Sequence, residues 1–352
     1  LKVTAITHPN LLSHLTGSLR ELLLRPYGCA EQTISTSYLS ILILRVLDRE
    51  GKAEEALRAR TLQNLEHGYF KLLSFRTEKG GFSYFGGAEA DAVLTGYALE
   101  FLHAASPFLE VDQEVIGKAR EWLASEQGAD GSWKMSWSKR PERAAAAIVA
   151  ALSVYPEQAA PILEKALPLL RQTESDPYVE VNLLRTFLAL GHDGEAANSL
   201  QRLAAISMRT GDAASWALSG HTPFYSTGES ARIETTALAA SALHLAAARG
   251  IPGAAGLSEE AMRWLIANKD SGDTWWNTQG TLRVLQAVTG ADELFAEGGT
   301  AVIVNGRKVE FTPEEVTGRL VADILPLLAT GQNRVRIVAP GYAMASFGMH
   351  YF

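Results

Sequence analysis

One unit recurs along the chain and limits what it can fold into: an aromatic residue near the end of an amphipathic segment, a glycine turn, then a second aromatic. Tyr69-Phe70-Lys71 leads to Gly80-Gly81-Phe82, Glu121-Trp122-Leu123 leads to Asp130-Gly131-Ser132-Trp133, and Arg263-Trp264-Leu265 leads to Gly272-Asp273-Thr274-Trp275. A helical pair that repeats in this way buries its apolar face only by stacking on its neighbours, so the chain must close into a ring or run on as a solenoid. Apolar residues at spacings of three and four predict twelve helices, over 11–24, 34–47, 56–73, 92–105, 115–123, 142–154, 157–170, 178–190, 195–208, 229–248, 258–267 and 278–288. Six hairpins make an α/α toroid.

Past about residue 300 the period changes from helical to alternating. Ala301-Val302-Ile303-Val304, the stretch 308–311 across a possible Asn305-Gly306 turn, and Arg334-Val335-Arg336-Ile337-Val338 read as strands. Lys2-Val3-Thr4-Ala5-Ile6 reads as another strand of the same unit. So few strands cannot bury a sheet well on both sides, so the expectation is a piece of a larger β domain. The expected division is an N-terminal strand at 1–8, the toroid at 9–292 and a β segment at 298–352, with both ends read as cut from something longer.

Composition narrows the function classes. Of 352 residues, 47% are hydrophobic and 20% charged, enough for a large core. A net charge of −7 argues against a nucleic-acid groove or a polybasic membrane patch, both of which need clustered positive charge. The longest strongly apolar stretch, 144–155, falls short of the ~20 residues of a membrane-spanning helix. A single cysteine forbids an internal disulfide and has to be explained alone.

That cysteine lies in Arg25-Pro26-Tyr27-Gly28-Cys29-Ala30-Glu31-Gln32-Thr33. Proline and glycine end one helix there, and the next starts at or just after Cys29. Cys29 and Gln32, three apart at a helix start, share a face, which puts the sulfur within reach of the glutamine carbonyl carbon. Attack of the thiolate on the amide, with loss of ammonia, gives an internal thioester, a much more reactive acyl donor. The helix N-terminus favours a departing thiolate and offers free N–H groups to a tetrahedral oxyanion. Glu31 reads first as a helix-start charge and second as a residue placing the amide; Tyr27 reads as a shield or a packing residue.

Pro26-Tyr27-Gly28-Cys29-Ala30-Glu31-Gln32 resembles the thioester motif of the α2-macroglobulin and complement C3 superfamily, most closely the bacterial α2-macroglobulins. The resemblance continues through Gly80-Gly81-Phe82-Ser83-Tyr84-Phe85-Gly86-Gly87 with Asp91, Leu94-Thr95 and Tyr97-Ala98-Leu99. It resumes at Ile233-Glu234-Thr235-Thr236-Ala237-Leu238 and at Trp276-Asn277-Thr278-Gln279-Gly280-Thr281 through Leu285-Gln286-Ala287, covering most of 11–290. It implies a mainly α fold, an α6/α6 thioester domain inserted in a CUB-type β domain, and a broad-spectrum protease trap. In such a trap a lysine of the captured protease displaces Cys29 and is acylated by Gln32, with Pro26, Tyr27, Gly28 and Glu31 in support. The module is then a single-use covalent inhibitor and no turnover enzyme, a monomer without cofactor, metal or nucleic-acid partner. The resemblance further implies a periplasmic location, often with a lipid anchor in the inner membrane, and sometimes a peptidoglycan synthase as partner. The chain has Ala30 where eukaryotic relatives carry glycine, and because alanine is small and a good helix former the thioester is expected to survive the change. The stretch 130–143 lacks the histidine that hydroxyl-selective complement proteins use, which implies direct attack by amines.

Other readings compete. A cysteine hydrolase needs a histidine base, and none of His8, His14, His67, His103, His192, His221, His244 or His350 announces itself. Trp122-Leu123, Gln127, Gly131 and Trp133 follow a repeat spacing of terpenoid cyclases, but the acidic clusters of those enzymes are missing, so a cyclase- or glycosidase-type toroid enzyme is the weaker alternative. A structural or interaction module with an inactive thioester is the other. Tyr84, Phe85, Trp133, Trp137, Trp275 and Trp276 fall at turns, mostly as packing residues with one or two covering the thioester; His221 and Tyr225 read as loop packing first.

Overall fold

The computed structural model describes residues 2–7, 26–50, 55–134, 140–173, 175–269, 275, 277–290, 301–313, 320–338 and 345–350. The chain divides into two compact units, Leu23–Ala287 and Leu1–Leu22 with Val288–Phe352.

The first unit is an α/α toroid with eleven helices among the described residues: α1 (Ala30–Glu50), α2 (Glu55–Leu73), α3 (Ala92–Ala105), α4 (Gln113–Glu126), α5 (Pro141–Leu152), α6 (Pro156–Gln172), α7 (Pro177–Leu190), α8 (Asp193–Ala205), α9 (Gly228–Ala248), α10 (Ala254–Ala267) and α11 (Thr278–Gly290). The helix expected at 11–24 lies outside the described residues. Burial separates two rings. In α3, 12 of 14 residues are buried, as an inner helix packed on all sides requires. In α4 only Val115, Ile116, Ala119, Trp122 and Leu123 are buried, the single stripe of an outer helix. Odd-numbered helices form the inner ring and even-numbered ones the outer. A side-chain contact closes the ring, since Gln279 of α11 donates its Nε2–H to Glu31 Oε1 of α1 at 2.6 Å.

Local sequence sets the helix starts. Asp91, Asp112 and Asp176 accept N–H bonds from the first turns of α3, α4 and α7, and proline opens α5, α6 and α7. The aromatic of each repeat fastens an outer helix to the next inner one. Trp133 and Trp275 donate their indole N–H to Leu123 and Leu265 carbonyls, each in the last turn of α4 or α10, at 2.8 Å in both cases. Last-turn carbonyls run short of helical N–H partners, and the indoles supply donors to them; Leu265 O also accepts the Asn268 N–H at 3.3 Å. The backbone N–H groups of Phe82 and Trp275 are received by Thr95 Oγ1 of α3 and Thr281 Oγ1 of α11, at 2.9 and 3.0 Å. Gly131 shows why the turn needs glycine: its φ is +83°, and a Cβ there would stand 2.2 Å from the Lys165 carbonyl oxygen.

A fourth copy, absent from the sequence reading, lies after α8. Trp216 donates its indole N–H to Leu203 O at 2.7 Å, and its backbone N–H goes to Thr236 Oγ1 of α9 at 3.1 Å. The helix expected over 195–208 stops at Ala205, and Met208 opens a hairpin of β2 (Met208–Thr210) and β3 (Ala213–Ser215). Trp216→Phe keeps most of the ring and strips the buried Leu203 carbonyl of its donor. A loss of about 1–3 kcal/mol is expected in urea unfolding; a loss below ~0.5 kcal/mol would mean that the carbonyl finds water instead.

The second unit is β. β1 (Lys2–Thr7) lies between β7 (Leu320–Asp323) and β9 (Ala345–His350), antiparallel to both, with β6 (Thr312–Pro313) beyond β7. β4 (Ala301–Val304) pairs with β5 (Arg307–Lys308) and β8 (Val335–Val338). Asn305 and Gly306 turn between β4 and β5 with φ of 48° and 82°, as the Asn-Gly pair predicts. The strand expected over 308–311 is shorter: β5 ends at Lys308, and Val309 and Phe311 pack into a core with Val3, Ala5, Val302, Val304, Ala322 and Ile324. Apolar residues on β8 and β9, among them Ile337, Phe347 and Met349, are exposed.

Candidate functional site

Gly28 turns the chain into α1 with φ +83°, and a Cβ at that position would stand 2.0 Å from Gln32 Oε1 and 2.9 Å from its Cδ. The Gln32 carboxamide therefore lies folded back over the Gly28 Cα. Its Oε1 accepts the Cys29 backbone N–H at 3.2 Å, while the Cys29 carbonyl accepts the Thr33 N–H at 2.9 Å and starts the helix. Cysteine and glutamine are thus held on one turn, with Cys29 half-buried and Gln32 exposed. Pro26 is buried and Tyr27 is 60% exposed, a surface residue in this unit.

The neighbouring turn fixes the other side. Ala30 N–H donates to Tyr84 O at 3.0 Å, joining the start of α1 to the loop that follows Phe82. Phe85 is 66% exposed, while Trp133 and Trp275 are buried and serve the repeat. Trp137 and Trp276 lie outside the described residues.

Glu31 does more than sit in the first turn of α1. Its Oε1 accepts Ser35 Oγ–H at 2.8 Å as well as Gln279 Nε2–H, and Gln279 Nε2 also reaches Ser35 Oγ at 3.0 Å. Ser35 Oγ in turn contacts the Tyr97 hydroxyl at 3.0 Å. The loop 222–226 supplies the facing wall. Thr222 Oγ1 donates to buried Glu234 Oε2 at 2.9 Å, Thr222 N–H donates to Ser226 O at 2.9 Å, and Tyr225 takes a φ of 64° at the tip. Burial pushes the Glu234 carboxyl up, against hydrogen bonds from Ser226 and Thr222 and the charge of Arg283. Asn277 Nδ2–H donates to Ser226 Oγ at 3.1 Å, Phe224 meets Tyr97 edge-on at 5.0 Å between centroids, and His221 stacks on Tyr225. Sequence reading placed Tyr84, His221 and Tyr225 at turns but missed Gln279 and Ser35 as neighbours of Glu31, a convergence over 248 residues of chain for Gln279. Among the described residues no group of three or more His, Cys, Asp or Glu is placed to hold a metal ion, and no helix is long and apolar enough to cross a membrane.

Known proteins carry the same architecture. Residues 5–290 match the family described as the A-macroglobulin TED domain. Thioester-containing protein 1 of Anopheles gambiae, in its S1 and S3 alleles, is 30% identical over 131 residues, 37% of this chain and 10% of that protein. Ovostatin of Gallus gallus is 30% identical over 119 residues, 33% of this chain and 8% of its own. The crystal structure of Salmonella alpha-2-macroglobulin reacted with methylamine superposes with a TM-score of 0.64 at 18% identity, over 99% of this chain and 22% of that one. The matched segment is thus about a tenth of the curated relatives, and the solved structure shares the fold. With the family match spanning most of the sequence, the chain belongs to the A-macroglobulin TED domain family.

Proposed function

We propose that this chain is the reactive module of an α2-macroglobulin-type protease trap, in which Cys29 and Gln32 form an internal thioester. The observation that carries the reading is the Gln32 carboxamide folded over Gly28 onto the Cys29 N–H, within a member of this family. The Cys29 thiolate attacks Gln32 Cδ, the C–N bond breaks, and ammonia leaves. A protease lysine amine then attacks the same carbon; a C–N bond forms, the C–S bond breaks, and Cys29 leaves as the thiol. Support for amine chemistry comes from the fold relative, whose structure was obtained after reaction with methylamine. Activation by bait cleavage, a flanking CUB-type domain that includes the β unit, periplasmic location with a lipid anchor, and a peptidoglycan synthase partner all belong to the same proposal.

Intact mass and thiol titration test it, before and after methylamine, with Cys29→Ala as control. The expected protein is one ammonia lighter than its sequence, gains one methylamine, and frees one thiol. A full-length protein at sequence mass with a free thiol and no uptake would turn the reading to a structural module.

A further inference from the structure

A cavity of about 180 Å³ adjoins the start of α1 at Glu31, walled also by Tyr84, residues 224–226 and residues 277–279. At ~30 Å³ per water it has room for about six waters, or for the end of an alkyl side chain. Its polar edge carries the Glu31 carboxylate, the Gln279 amide and the Tyr84 and Thr278 hydroxyls, while the Asn277 amide there already donates to Ser226 Oγ. Gln279 is only 4% exposed, its Nε2 is occupied by Glu31 and Ser35, and its Oε1 has no partner. The Tyr84 hydroxyl is likewise buried without one, and burial pushes that phenol up, so it stays neutral. The Glu31 Oε2 takes part in neither of the bonds that fill Oε1. Among the described residues no basic one lines the cavity.

An orphaned buried acceptor is costly, and a carboxylate oxygen and an amide oxygen beside aromatic faces match a positively charged group that donates hydrogen bonds. We propose that this cavity receives the primary alkylammonium group that attacks the thioester, with Glu31 as its counter-ion and proton acceptor and Gln279 as the positioning residue that holds Glu31. The proposal rests on the thioester reading. Glu31 takes one proton from the ammonium, the freed amine attacks Gln32 Cδ, and a second N–H proton goes to the departing Cys29 sulfur. Glu31 then returns its proton to solvent. Hydroxyls and water bring no charge to the site, so selectivity for amines follows from the carboxylate.

The experiment uses full-length protein and follows thiol release with n-butylamine and with buffer alone. In wild type the rate is expected to saturate with butylamine and to be slowed by methylguanidinium chloride, a donor-rich cation that is a poor nucleophile, and not by sodium chloride at equal ionic strength. In Glu31→Gln and Gln279→Met the ratio of aminolysis to hydrolysis is expected to fall about tenfold, the scale of one hydrogen bond to a charged group. A thioester that forms, yet reacts linearly with butylamine and ignores methylguanidinium, would overturn the cavity; so would an unchanged ratio in both variants. Where a variant fails to form the bond, the wild-type saturation and competition decide alone. A wild type at sequence mass that never takes up an amine overturns the thioester itself, an outcome separate from both.

Discussion

Gly28→Ala is expected to abolish methylamine uptake while costing about 1–2 kcal/mol of stability, the strain of an alanine in left-handed backbone. The new methyl would stand 2.0 Å from Gln32 Oε1 and 2.9 Å from Gln32 Cδ, which no real Cβ contact tolerates. Gln32 is an exposed, flexible side chain, so it swings away at little cost to the fold. What is lost is the placement of its amide carbon beside Cys29. Gly87→Ala is the control, because Gly87 also has positive φ, +80°, and a Cβ there meets nothing within 4 Å. Both variants should lose similar stability in denaturant, and only Gly28→Ala should keep its ammonia and a permanently free thiol. Equal methylamine uptake by the two proteins would mean that the Gly28 Cα does not set the Gln32 rotamer.

The helices were legible because their apolar periodicity is also what packs them. α3 coincides with the segment expected at 92–105, and α7 and α11 start within a residue of expectation. The error at the end of α8 has a physical cause. Met208 continues the apolar spacing past Ala205, but it is an exposed strand residue, and the burial that would have made it helical is absent. The fourth repeat escaped for a related reason. Its turn at Gly211-Asp212 is followed by the strand Ala213–Ser215, so Trp216 comes five residues after the glycine, where Phe82 and Trp133 come two after theirs. The contact between Cys29 and Gln32 was readable because it is local, between residues three apart within one turn. The cavity beside Glu31 was not, because its walls come from α1, the loop after Phe82, the loop 222–226 and the start of α11, and no periodicity records which loops of a closed ring meet.

Glu100→Gln is expected to cost the toroid about 3–5 kcal/mol, because it removes the carboxylate shared by two guanidinium groups. Glu100 Oε1 accepts from Arg185 Nη2 of α7 at 2.9 Å and from Arg283 Nη1 of α11 at 3.0 Å, tying three inner helices together. Arg283 lies over the Tyr97 ring, 5.2 Å from its centroid, and is 5% exposed, so little of it is hydrated. Burial alone would push the Glu100 carboxyl up; Arg283 and Arg185 outweigh it and hold the group at about 2, against 4.5 for a free glutamate. A depressed carboxyl stabilises the fold above its unfolded value, and that contribution fades as the pH falls from 4.5 towards 2. At 1.36 kcal/mol per unit the shift corresponds to about 3 kcal/mol, in agreement with the cost expected for the variant. Urea unfolding of both proteins from pH 7 down to pH 3 checks it. The gap between them should be full near neutrality and narrow to about half by pH 3. A gap that stays constant with pH would assign the loss to packing instead of charge, and a gap below ~1 kcal/mol at pH 7 would mean that water replaces the carboxylate beside the two arginines.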